Sequence, residues 1–210
     1  MLTVVRTKVQ IGCVLVLMGS PVCGWSKCFS FDQAHIKPIQ EPIPLLEGED
    51  AFRKGEIGQG GIVWGAVRGV VNRPPKSIAD SFSDPYLTKN KKNTKIDVVF
   101  ENSPHYKFLR KMHLVLKPVF FVTIEWNEEW ALRVLKGTVD DPKSFILYYQ
   151  KTDGTSHIEH LCGNILVTDR KGGSDIYLYE QVKASRWSND DVIRNFQVVL
   201  KILRGEHHEG

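Results

Sequence analysis

Tyr106-Lys107-Phe108-Leu109-Arg110-Lys111-Met112-His113-Leu114-Val115-Leu116-Lys117 is the stretch whose reading decides the fold. Tyr106, Phe108, Met112, Leu114 and Leu116 share one parity, and Lys107, Lys111, His113 and Lys117 share the other. Such period-two alternation describes a strand with one buried and one wet face, the usual situation in an antiparallel sheet. Arg110 breaks the rule, because it places a cation on the apolar parity. Residues 120–134 repeat the pattern: Phe120, Val122, Ile124, Trp126, Trp130, Leu132 and Val134 stand opposite Thr123, Glu125, Asn127, Glu129 and Arg133. Here Glu128 is the exception that points inward.

Working outward, further strands are expected over residues 96–100, 144–151, 157–169 and 175–186. Asp140-Asp141-Pro142, Asp153-Gly154 and Gly172-Gly173 supply the turns between them. Glu180 interrupts the series Ile176, Leu178, Val182, Ala184. Upstream, residues 62–71 read as a Val- and Gly-rich strand ended by Asn72-Arg73-Pro74-Pro75, and Pro75 suits the first turn of a short helix over 76–83. Asp84-Pro85 stops that helix, and a second short one is expected over 86–89, before a solvated lysine-rich loop. The chain closes differently. Ser188 and Asp191 form a capping-box start, Val192, Ile193, Phe196, Val199, Leu200 and Leu203 recur at helical spacing, and Lys201 and Arg204 suit the carboxyl end. One apolar face of this helix is expected to lie on the sheet, followed by a polar tail over 205–210.

The N-terminus has another character. Residues 1–24 join a basic start (Arg6, Lys8), a short apolar middle and a small-residue tail, the layout of a secretory signal peptide, with cleavage expected after Gly24. The apolar run is too short to span a membrane stably. Over all 210 residues the composition is 42% hydrophobic and 25% charged, enough to build a core and unlike a disordered chain. Removing Arg6 and Lys8 turns 28 basic residues into 26 against 24 acidic ones, so the net charge falls from +4 to +2. Neither value argues for a nucleic-acid partner. Residues 25–55, with Pro38, Pro42, Pro44 and Gly48, read as an irregular leader that wraps or tethers, with one helical turn expected over 49–54. Of four cysteines, Cys28 and Cys162 survive cleavage into an oxidising compartment, where they either bridge leader to domain or stay unpaired.

One strand, two short helices, a long run of antiparallel strands and a closing amphipathic helix resemble the helix-grip fold. START domains, polyketide cyclase-like proteins and plant pathogenesis-related ligand carriers, together the SRPBCC superfamily, share it. The words Gly69-Val70-Val71-Asn72-Arg73-Pro74-Pro75-Lys76-Ser77-Ile78 with Ser83-Asp84-Pro85, then Glu129-Trp130, residues 160–166 and the final helix carry the resemblance, which spans residues 56–204. It implies an α+β fold in which a curved antiparallel sheet wraps around a long C-terminal helix. It further implies a deep cavity between them that holds a lipid or other hydrophobic small molecule.

Parity supplies the matching site residues independently. Phe108, Met112, Trp126, Trp130, Tyr148, Phe196 and Leu200 are candidate walls, and Arg110, Glu128 and Glu180 are candidate inward polar groups. Arg110 is expected either to meet an anionic ligand head or to pair with Glu128 or Glu180. Binding without catalysis is the favoured reading. Its rivals are a cyclase- or hydratase-type enzyme using Glu128, Glu180 or His160 in the same cavity, and an interaction module with a filled core.

Other groupings point to less. His157, Glu159, His160 and Cys162 split between two faces of one strand, so no metal site is expected from them. No nucleophile motif is present, Gly58-Gln59-Gly60-Gly61 precedes a strand where a phosphate loop would precede a helix, and no cofactor is implied. Lys89, Lys91, Lys92 and Lys95 offer at most a transient contact with an anionic membrane surface.

Overall fold

A computed structural model describes residues 51–88, 94–102, 106–119, 122–185 and 187–206. The expected signal peptide, Cys28 and most of the leader lie outside the described residues. Eight strands, β1 (Ala51–Ile57), β2 (Ile62–Val71), β3 (Thr94–Glu101), β4 (Phe108–Val119), β5 (Val122–Gly137), β6 (Pro142–Gly154), β7 (Ile158–Arg170) and β8 (Gly173–Ala184), form one antiparallel sheet. Its order is β1-β2-β8-β7-β6-β5-β4-β3, so the chain's early and late strands meet at β2 and β8 while β3 ends the far edge. Helices α1 (Pro75–Ser81) and α2 (Asn189–Arg204) complete the fold.

Alternation does what the sequence asks of it. Met112 and Leu114 of β4, Trp126, Trp130 and Leu132 of β5, and Ile176, Leu178 and Val182 of β8 join a single core with Ile78, Ala79 and Phe82 from the first helical region and six residues of α2. That side is the concave face. Helix α2 starts where expected: the Ser188 hydroxyl accepts from the Asp191 amide at 3.3 Å, and the Asp191 carboxylate accepts from the Ser188 amide at 2.9 Å. Gly205, at φ 77°, ends it. The helix packs on β2 and β1, and α1 packs on β6 and β7.

Three expectations fail. Residues 51–54 belong to β1, which pairs in unbroken register with β2 from Ala51↔Arg68 to Ile57↔Ile62. The glycine cluster is the turn between them, with Gly58 and Gly61 at φ 61° and 68°, so the domain begins inside what read as leader. The second short helix is also missing among the described residues, where 85–88 are turns. The Asp84 carboxylate takes the Tyr86 amide at 2.8 Å and the Asp84 carbonyl takes the Leu87 amide at 3.2 Å, which closes the chain into a turn before a helix can propagate. Finally, the short helix follows the second strand, because β1 precedes it.

Candidate functional site on the concave face

Strand register places six residues in one line across the sheet: Arg110 (β4), Trp130 (β5), Tyr149 (β6), Gly163 (β7), Glu180 (β8) and Gly65 (β2). Contacts run along the same line. The Arg110 guanidinium sits 4.9 Å from the Trp130 ring centre, and the Trp130 and Tyr149 rings stack at 4.8 Å and 20°. The Tyr149 hydroxyl then donates to the Glu180 carboxylate at 2.9 Å. Gly163 makes that reach feasible, because a Cβ there would lie 2.4 Å from the Tyr149 hydroxyl oxygen. Gly65 ends the line by letting α2 seat Val192 where a Cβ would come within 2.8 Å of it.

A second line, Met112–Glu128–Lys151, runs beside the first. Glu128 is fully buried, and its two carboxylate oxygens accept the indole N–H of Trp126 at 2.6 Å and of Trp130 at 2.7 Å. Residues 126, 128 and 130 share a face of β5, so one carboxylate is held between two indoles by strand geometry alone. These are charge-assisted bonds in a dry setting. Lys151 is also buried, and burial pulls its ammonium down to about 8, with Asp153 pulling it back up. Burial likewise lowers Arg110 to about 10, against the opposing pull of the Glu128 and Asp84 charges. Tyr149 is raised well above the usual phenol range by burial, then by the adjacent Glu180 carboxylate.

Arg110 points inward as its parity implied, but to backbone partners. It donates to the Phe82 carbonyl at 2.8 Å and the Ser83 carbonyl at 3.4 Å, so it fastens the end of α1 to β4. The Glu128 charge also acts on it across space, and the Arg110 Nε, buried, has no hydrogen-bond partner. Phe108 lies under the same guanidinium at 5.0 Å. Met112, Trp126, Phe196 and Leu200 all belong to the concave core. Tyr148 is the misplaced wall: Trp130 pairs with Tyr149, which puts Tyr148 opposite Ala131 on the other face, where burial raises its phenol. Two adjacent tyrosines left the parity of β6 open, and Tyr149 was the one missed. Lys151 shares the parity of Tyr149 and was missed with it, because residues of both parities are buried from Phe145 to Lys151.

The remaining groupings fall elsewhere. Glu159 pairs with Lys183 at 2.6 Å, the His157 ring meets the Ser185 hydroxyl at 3.3 Å, and Cys162 is disulfide-bonded. Among the described residues no group of three His, Cys, Asp or Glu is placed to hold a metal. A depression beside α1 is lined by Arg73, Lys76, Ser77, Asp80 and Ser81, whose polar groups already bond to one another. Among the described residues no helix is long and apolar enough to cross a membrane.

An antiparallel sheet that presents a polar-studded concave face to a long C-terminal helix is a known architecture. This is the helix-grip fold. The lipid transfer and protein localization domain of human StarD13 superposes with a TM-score of 0.56 at 10% identity, over 78% of this chain and 87% of that one. A STAR-related lipid transfer protein from Xanthomonas axonopodis superposes with a TM-score of 0.55 at 10% identity, over 78% and 95%. No family model matches the sequence, and no curated protein matches it. At these identities the likeness speaks for the helix-grip fold alone.

Proposed function

We propose that this protein is an exported carrier that binds a lipid or other hydrophobic small molecule with a polar head on the concave face, between α1 and α2. The observation that carries the reading is the polar pair of lines, Arg110 to Glu180 and Glu128 to Lys151, set inside an otherwise apolar and aromatic layer. Ligand sites are built this way, with apolar walls and a few placed polar groups. Buried charges without a ligand would be a costly way to fill a core. The fold is shared with two lipid-transfer domains, which supports the ligand class. Export is supported by the three-part pattern of residues 1–24 and by a disulfide at Cys162, a bond that persists in oxidising compartments. Transient contact with an anionic membrane through Lys89, Lys91, Lys92 and Lys95 fits ligand exchange.

Native mass spectrometry of protein purified from its own host tests the proposal, with a co-purifying lipid-sized mass as the expected result. Uptake of an environment-sensitive fatty probe by the mature chain is the second measurement. Absence of both would overturn the carrier reading, and equal uptake by an Arg110→Ala chain would remove Arg110 from the site.

A further inference from the structure

The opposite face of the sheet is buried with nothing described on top of it. Ala131, Ile146, Tyr148, Cys162 and Asn164 are each 0% exposed, and Tyr177 and Tyr179 no more than 4%. Register places them side by side on the convex face, for example Ala131–Tyr148–Asn164–Tyr179 in one row. Both helical regions bury their apolar residues in the concave core, and the convex cluster holds strand residues only. The Asn164 amide, fully buried, finds no hydrogen-bond partner at either end. At the edge of this patch Cys162 is disulfide-bonded, and every other cysteine of the chain, Cys13, Cys23 and Cys28, precedes Ala51.

We infer that the segment 25–50 docks across the convex face and is stapled there by a Cys28–Cys162 disulfide. Apart from residues 1–50, the stretches outside the described residues are five residues or shorter, too small to cover four strands. Cys28 is the one upstream cysteine that would remain after cleavage at Gly24. The reach is ample. From Ala51, where β1 enters the sheet, Cys162 is three strands away, about 14 Å, and four residues along from the Leu166 row, about 13 Å. Residues 29–50, 22 in all, can extend to about 70 Å, so the segment has slack to traverse the tyrosine patch before it enters β1. Forming the bridge passes two electrons and two protons from the thiols to a disulfide-class oxidant. The staple also closes a loop of more than a hundred residues, where the effect on the unfolded chain is large.

Peptide mapping of the full, unreduced chain reads the pairing directly. The expected product is a Cys28 peptide joined to a Cys162 peptide, separating on reduction with dithiothreitol. A free Cys162 thiol, or a bridge to Cys13, Cys23 or a second copy, would overturn the inference. Nitration by tetranitromethane reads the covering. Tyr148 and Tyr177 are expected to react at least about tenfold more slowly than free tyrosine in the oxidised chain, and several-fold faster in Cys28→Ser. Reaction of both at the free rate in the oxidised chain, or no acceleration in the variant, would overturn the docking. These outcomes are independent of whether the concave face takes up a fatty probe.

Discussion

The two faces of this sheet bury comparable numbers of aromatic rings for different ends. On the concave face Trp126, Trp130 and Tyr149 direct their polar atoms at carboxylates within the sheet, so the aromatic groups hold charge in place. On the convex face Tyr177 and Tyr179 cluster with Ala51 and Ala66, and the buried Asn164 amide beside Tyr179 is unbonded. A face with buried charges set among apolar walls suits the exchangeable ligand proposed above. A face whose buried amide has no hydrogen-bond partner suits the fixed cover inferred above.

Four measurements would break or sharpen that contrast. Trp130→Ala removes the ring that links Arg110 to Tyr149 and leaves Glu128 with one indole donor; it should cost about 3–5 kcal/mol in denaturant unfolding and abolish uptake of the fatty probe. Glu128→Leu strands two buried indole N–H groups, and about 2–4 kcal/mol is expected by the same assay. The Lys151 effect is one of pH. Because burial holds its folded value near 8 against an ordinary 10.5, the unfolded chain binds more protons between those values, so stability should rise from about pH 8 to 10.5. Lys151→Met should flatten that rise. Tyr148→Phe on the convex face should cost about 1 kcal/mol or less and leave probe uptake unchanged. Loss of uptake in that variant would erase the distinction between the faces.

The concave face was largely legible because alternation is a local property. Arg110, Glu128 and Glu180 each stood out against a run of apolar neighbours of the same parity, and all three lie on the helix-facing side. Legibility failed where register depends on another strand. Both faces of β6 are buried from Phe145 to Lys151, and the neighbouring Tyr148 and Tyr149 leave it without a parity that its own sequence can declare, so Lys151 and Tyr149 emerged only from pairing with β5. β1 was hidden for a related reason. Ala51–Ile57 has little alternation of its own, and it becomes a strand because a glycine turn folds it back on β2. The direct partners of Arg110 were out of reach too, since two backbone carbonyls at the end of α1 carry no sequence signature.

Helix α2 is fastened unequally at its two ends. At the carboxyl end Arg73 donates to the Leu203 carbonyl at 3.1 Å and Arg204 to the Val70 carbonyl at 2.9 Å, both part-buried bonds to backbone. At the amino end, where Val192 is seated against Gly65, the polar tie is a surface ion pair between Lys54 and Asp190. Dissolved salt screens the surface pair and barely touches the shielded carbonyl bonds. Ionic strength therefore works on this helix as on a door with a fixed hinge and a magnetic latch: it loosens the latch near β1 while the hinge by Val70 and Leu203 stays shut.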